Sequence, residues 1–373
     1  MKQYIKTKIL IMILIMSTLL GAVMLSTRFG TTPNKLAKDK FNQSKQYNSE
    51  KGIFENRIPD ILKKMKEKSM NLETFVQFLK GNEKSKPVHK LPEIKPDLTH
   101  FMREDIKSKV IWFGHSTFLL KIKKSTILVD PVFSNSASPI SLMVKRFQKP
   151  VLELTELPKI DFILISHDHY DHLDMESIKF FKKSETIFIT PLGVGSHLEG
   201  WGISKDKIIE KDWWESVELS GIEFIATPAQ HFSGRNGFND NETLWASWVI
   251  RNENERIYFS GDSGYDIHFK EIGDRFGPFD IAFLENGQYN EKWEEVHMLP
   301  EQTIMAFKDL RAIKLFPVHW GMFVLSIHSW FEPIQKIKDL SEKESIEVLT
   351  PKFGEIVDLN NLNIFTNWWE SSI

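Results

Sequence analysis

One heptapeptide constrains this chain more than any other stretch: Ser166-His167-Asp168-His169-Tyr170-Asp171-His172, set directly after the apolar run at 162–165. Three imidazoles and two carboxylates fall within six consecutive residues. Side chains alternate along an extended strand end, so His167 and His169 point to one side and can grip a single cation. Where the chain then turns, Asp171 and His172 reach towards a second ion. A lone histidine is ordinarily a satisfied core or surface residue. Three in one strand-to-helix turn each need a polar partner once buried, which makes a purely structural reading costly. Asp174 follows as the expected N-cap of a helix starting near Met175.

Other strand ends must supply the remaining ligands. His231 follows the apolar run 224–226, Asp262 follows 257–260 within Gly261-Asp262-Ser263-Gly264, and His319 follows 314–316. Glycines beside Asp262 let backbone approach an ion closely. Singly, His231, Asp262 and His319 would each read as structural; beside the His/Asp cluster, the metal reading dominates. The donor set is all nitrogen and oxygen, which suits Zn²⁺, with Mn²⁺ or Fe²⁺ as alternatives. The chain has no cysteine, which excludes disulfides, Fe–S clusters and thiolate nucleophiles.

At the N-terminus, residues 9–25 read ILIMILIMSTLLGAVML, with Lys2, Lys6 and Lys8 before the run and Arg28 after it. A helix over 9–27 would span about 28 Å, close to one bilayer core. No A-x-A site follows, so residues 1–28 are expected to be an uncleaved single-pass signal-anchor with the bulk of the chain extracytoplasmic. Residues 30–50, rich in Lys, Asn, Gln and Ser, predict a flexible tether. Apolar residues at helical spacing from Ile58 to Leu79 predict a helical extension, and Pro87, Pro92 and Pro96 mark a linker. From about residue 101, short β-rich runs interleave with a few helical patterns, which predicts a layered α+β fold. The expected division is therefore 1–28 anchor, 29–100 tether and helical extension, and 101–373 catalytic domain. Lys+Arg total 48 against Asp+Glu 50, a net charge of −2 that gives no support to nucleic acid as a partner.

Seven segments in order resemble the metallo-β-lactamase superfamily: Trp112-Phe113-Gly114-His115-Ser116-Thr117, Val129-Asp130-Pro131, the heptapeptide, Pro228-Ala229-Gln230-His231, Gly261-Asp262-Ser263-Gly264, His297-Met298-Leu299-Pro300 and Pro317-Val318-His319-Trp320. Within it, they look most similar to the N-acyl-phosphatidylethanolamine-hydrolysing phospholipase D group. The resemblance implies a four-layer αβ/βα sandwich with a two-metal site along one edge. By carry-over, His167, His169 and His231 hold the first ion; Asp171, His172 and His319 hold the second; Asp262 bridges both. It further implies a hydroxide activated by two divalent ions as the attacking group, with Asp171 as ligand and proton acceptor and Asp262 setting the metal spacing.

Outer residues follow from the same comparison. His115 and Asp130 are expected behind the ligands, while Arg235 and His297 are expected to contact a substrate phosphate. Trp213, Trp214, Trp293, Trp320, Trp330 and Phe331 are candidates for an acyl channel, each also a candidate for core packing. His89, His100, His197, His268 and His328 stand in no motif and are expected to be surface or structural. The expected activity is phosphodiester hydrolysis on (N-acyl) phospholipids. Its alternatives are a lactonase-like ester hydrolase on the same site and a non-catalytic metal-binding membrane protein.

Overall fold

The computed structural model describes residues 27–237, 240–361 and 364–373. The expected anchor over residues 9–27 thus lies, but for Thr27, outside the described residues. Among the described residues, no helix is long and apolar enough to cross a membrane.

Residues up to 101 form α1 (Lys35–Phe41), a hairpin of β1 (Tyr47–Asn48) and β2 (Ile53–Phe54), α2 (Ile61–Ser69), α3 (Leu72–Lys80) and the short α4 (Leu98–Phe101). A first run of strands comprises β3 (Lys109–Trp112), β4 (Phe118–Ile122), β5 (Ser125–Val129), β6 (Phe162–Leu164), β7 (Ile187–Pro191) and β8 (Ile208–Lys211), with helices α5 (Met175–Phe180) and α6 (Gly195–Gly200) between them. A second comprises β9 (Ser216–Leu219), β10 (Ile222–Thr227), β11 (Ser247–Arg251), β12 (Arg256–Phe259), β13 (Ile281–Glu285), β14 (Lys314–Val318) and β15 (Glu347–Val348), with α7 (His268–Phe276), α8 (Pro300–Asp309) and α9 (Glu332–Lys343). Finally β16 (Ile356–Asp358) returns to pair with β3.

These strands make two seven-stranded sheets, ordered β16-β3-β4-β5-β6-β7-β8 and β15-β14-β13-β12-β11-β10-β9. Each is antiparallel in one half and parallel in the other. Their residues are apolar almost continuously because both faces are covered. Alternation decides which core each side chain joins. Val110 and Trp112 of β3 enter the core between the sheets, while Ile111 turns to the outer layer with Ile178 of α5 and Leu198 of α6. Across the inner core, Phe118 of β4 stacks on Phe283 of β13 with centroids 4.3 Å apart. Behind the second sheet, Phe269, Ile304 and Ile337 of α7, α8 and α9 pack on Val249 and Leu284. The layers run helix, sheet, sheet, helix, as the family resemblance implies.

Two expectations about residues 29–100 need correction. The tether is packed: its Phe41, 1% exposed, and its Tyr47 lie against Phe54 of β2, with ring centroids 5.1 Å from Phe54 in each case. A few aromatics among polar neighbours suffice to dock such a segment, since each buries a large apolar area. The proline-marked linker is pinned as well. Leu91 is buried, Gln148 bonds its N–H and carbonyl, and Ile94 N donates to Phe353 O at 2.8 Å.

Candidate metal centre

Every sequence-predicted ligand lies just beyond the C-terminal end of a strand, at one edge of the sandwich. The loop after β6 carries His167, His169, Asp171 and His172, and its last residue before the helix is Asp174. That carboxylate accepts from Ser177 N and caps α5, as expected. The opposite sheet contributes His231 after β10, Asp262 after β12 and His319 after β14.

The side chains converge in two groups. In the first, His169 Nδ1 lies 2.9 Å from His167 Nε2 and 3.2 Å from His231 Nε2. In the second, His319 Nε2 lies 3.3 Å from Asp171 Oδ2, and His172 Nε2 lies 3.5 Å from it. Asp262 stands between the groups. Its Oδ2 is 3.0 Å from His319, 3.1 Å from His172, 3.8 Å from His231 and 3.9 Å from His167, each to Nε2.

The rear nitrogens show which atoms are free to bind. His231 Nδ1 donates to Val296 O at 3.0 Å, and His319 Nδ1 to Gly287 O at 3.2 Å. A carbonyl only accepts, so each neutral ring carries its proton at Nδ1 and turns a lone pair inward from Nε2. Ser166 supports the first group: its Oγ donates to Asp130 Oδ2 at 2.5 Å and accepts from His167 Nδ1 at 3.0 Å. Asp130 also takes the Ser166 N–H at 2.7 Å and faces His172 Nδ1 at 2.7 Å. It thus stands behind ligands of both groups.

Electrostatics separate the groups. Burial drives His167 and His231 well below the ordinary imidazole range, and lowers His169 too. Burial also opposes charge at His172 and His319, but there Asp262 and Asp171 overcome it. His172 rises well above its ordinary value and His319 to about 10. Burial would likewise raise the two carboxylates, yet their imidazole neighbours hold both well below the usual range.

This donor set fits divalent cations. In the first group His167 and His231 each turn an Nε2 lone pair towards His169 Nδ1, and in the second two imidazoles crowd the carboxylates of Asp171 and Asp262. Asp262 Oδ1 is buried with no hydrogen-bond partner among the described residues. Buried carboxylates beside inward-facing imidazole nitrogens are costly unless positive charge sits among them. Three non-glycine residues at this edge, His115, Asp130 and His319, hold φ of +54°, +38° and +69°. Such strain persists only where surrounding structure enforces it.

The outer residues divide. His115 sits behind the second group, its Nε2 2.8 Å from Asp171 Oδ2. Burial, then the charge of His319, depresses it to about 3. His297 lines the cavity above the ligands, with Nδ1 held 2.8 Å from Glu285 Oε2. Arg235 departs from expectation. It is 3% exposed and directed behind the ligand loop, where Nη1 donates to Asp168 O at 2.5 Å and to Leu173 O at 2.9 Å. It does not line the cavity that reaches the ligands. A buried guanidinium must satisfy its donors locally, and these carbonyls compete with any substrate phosphate.

Two contributors escaped the sequence reading. Glu285, 0% exposed, approaches His319 Nδ1 at 3.5 Å besides holding His297. Its only signal is a carboxylate closing an otherwise apolar strand. His197, expected to be surface or structural, is buried against Asp168.

The cavity has a volume of about 790 Å³. Its floor includes Asp171, Asp262, His297 and His319; its walls include Met65, Met70, Leu72 and Phe78 of the α2–α3 region together with Phe232, Trp293, Val296 and Leu325. Of the aromatics proposed for an acyl channel, Trp293 lines it. Trp213, Trp320 and Trp330 instead belong to the core between the sheets.

Comparison with known proteins agrees with this geometry. Residues 125–320 match the beta-lactamase superfamily domain, a span that contains every ligand named above. An uncharacterised protein of Mycobacterium tuberculosis is 37% identical over 323 residues, covering 85% of this chain and 86% of its own. The N-acyl-phosphatidylethanolamine-hydrolyzing phospholipase D 1 of Caenorhabditis elegans is 35% identical over 264 residues, covering 66% and 74%. Among solved structures, a metallo hydrolase from Ignicoccus hospitalis superposes with a TM-score of 0.52 at 21% identity, over 67% of this chain and 98% of its own. Sequence family, layered fold and converging ligands agree: the chain belongs to the metallo-β-lactamase superfamily and is one of its metal-dependent hydrolases.

Proposed function

We propose that this hydrolase is a phospholipase D-like phosphodiesterase acting on (N-acyl) phospholipids with two divalent ions, Zn²⁺ first among them. The observation that carries this reading is the continuity of one cavity from an apolar wall to the ligand edge. Met65, Met70, Leu72, Phe78, Trp293 and Leu325 offer surface to an acyl chain, while Asp171, Asp262, His297 and His319 meet the polar end. The worm relative's activity towards N-acyl-phosphatidylethanolamine supports the same substrate class.

When bound, the two ions would supply a nucleophile from water at neutral pH and positive charge for the phosphoryl oxygens. His167, His169 and His231 would hold one ion, Asp171, His172 and His319 the other, and Asp262 would face both. The chain's own groups do the orienting. His115 fixes Asp171 from behind, Asp130 fixes His172, and Glu285 fixes His297 at Nδ1, leaving Nε2 as the atom His297 offers to a ligand. Residues 9–27 would anchor the domain in the membrane, with the catalytic part extracytoplasmic, and so concentrate the site at its substrate.

The test is a hydrolysis screen over phospholipids, N-acyl-phosphatidylethanolamine, lactones and β-lactams, with and without chelator. Phosphatidate released from the phospholipids and abolished by chelator is expected. Lactone opening without phosphatidate would move the assignment to the ester class, and no chelator-sensitive turnover on any substrate would reject catalysis.

A further inference from the structure

Asp168 lies between two ligands, His167 and His169, yet its carboxylate turns away from the cavity. It is 1% exposed and accepts from Gly234 N at 2.8 Å, Thr243 Oγ1 at 3.0 Å and His197 Nε2 at 3.1 Å. His197 is itself gripped from the other side: its Nδ1 accepts from Thr31 N at 2.9 Å. A ring that accepts at Nδ1 carries its neutral-state proton at Nε2, so the chain of bonds runs in one direction, from Thr31 through His197 to Asp168.

A second bridge runs in parallel. Arg235 donates from Nε and Nη2 to Arg28 O at 3.2 and 2.9 Å, and from Nη1 to Asp168 O and Leu173 O. One guanidinium thereby ties residue 28 to both ends of the turn that presents His169, Asp171 and His172. Between these bridges the segment is closely packed. Trp201 Nε1 donates to Thr27 O at 2.7 Å, and a Cβ placed on Gly30 would lie 2.1 Å from His197 Nδ1.

We propose that residues 27–31 form a strap that positions the metal-ligand loop, with His197 and Arg235 as positioning residues that transmit its hold. The proposal rests on the metal reading above and adds a part of the chain that no ligand motif contains. It also makes the strap the joint between the apolar run, which ends at Leu25, and the ligands.

The experiment uses the full-length chain and reads zinc affinity by chelator competition, alongside thermal unfolding of the metal-free protein. Gly30→Ala forces the strap off His197. Gly221→Ala is its reference: that glycine has φ +72° in the β9–β10 turn, and the nearest atom to its Cβ is Lys123 Nζ at 3.9 Å, so it carries a similar backbone penalty with no collision. The expected result is zinc binding weakened about 10- to 100-fold in Gly30→Ala and unchanged in Gly221→Ala. Equal affinity in wild type and both variants, or affinity that falls alike in both, would overturn the strap.

Should Gly30→Ala fail to fold, His197 decides. Glutamine can both accept from Thr31 and donate to Asp168, so His197→Gln should bind zinc close to wild type while His197→Ala loses at least about tenfold. Equal affinity in these two overturns the proposal. Absence of zinc from the wild type would overturn the metal reading and the strap with it, whereas wild-type affinity in every variant overturns the strap alone.

Discussion

The two halves of the ligand cluster are made from opposite electrostatic material. His167, His169 and His231 turn imidazoles towards one another, each lowered first by burial, with Asp262 at the margin. Around His172 and His319 stand Asp171, Asp262 and Glu285, and the charge of Asp262 and Asp171 raises both imidazoles above their ordinary range. The first half is a preformed basket of lone pairs. The second gathers negative charge that favours protonated imidazoles. Similar residue types thus make two unlike sites, and the carboxylate count decides which is which.

Asp262 offers the harshest test of that contrast, because its carboxylate faces ligands of both halves. Asp262→Ala should cut hydrolysis on the order of a thousandfold, several kcal/mol of lost stabilisation, and lower the metal content. Near wild-type turnover with full metal content would erase the distinction between a shared carboxylate and a bystander.

Asp130→Asn should act next most strongly. It weakens the hold on His172, and metal affinity should fall about 10- to 100-fold. Titration with chelator should show that loss mainly in one class of bound ion; a uniform loss would mean that Asp130 supports both halves equally through Ser166.

Proton release separates the halves by sign. His319, raised to about 10 in the metal-free protein, must give up its proton to bind an ion, so affinity at the acid-rich half should climb as pH rises from 6 towards 9. The imidazole half is already neutral at pH 7 and should bind with little release. Calorimetry in two buffers of different ionisation enthalpy reads the difference, and a single proton count for both binding events would contradict it.

The smallest effect concerns a reference imidazole outside the centre. His268 is buried beside Ser263, and burial depresses it from 6.5 to about 3. The unfolded chain therefore binds a proton first as pH falls, and folding stability should drop between about pH 6.5 and 3. The slope is up to about 1.4 kcal/mol per pH unit. Denaturant titrations of His268→Gln should lack this contribution; an unchanged slope would show that burial alone does not keep such rings neutral.

Much of the centre was readable from sequence because coordination chemistry is local. A His/Asp cluster at a strand end, and glycines around a later Asp262, carry their meaning within a few residues. Arg235 was misread because nothing near it in sequence reveals that Asp168 O and Leu173 O fold against it. The helical stripe at 58–79 shows a different limit. Ile61 is buried with Trp293 and Val296, while Met70 and Leu72 are 75% and 76% exposed although both line the cavity. Periodicity identifies an apolar face but not what will lie against it. Glu285 stayed hidden because a single carboxylate at the end of a hydrophobic strand gains its role only when His297 and His319 arrive from elsewhere in the chain.

The ligands come from both sheets: His167, His169, Asp171 and His172 from one, His231, Asp262 and His319 from the other. In a protein without a single cysteine, ions caught between them would add a strong cross-link to the hydrogen bonds at that edge. Stripping the metal would then do more than silence the enzyme. It would loosen the sandwich along one seam, and protease nicks should increase there first.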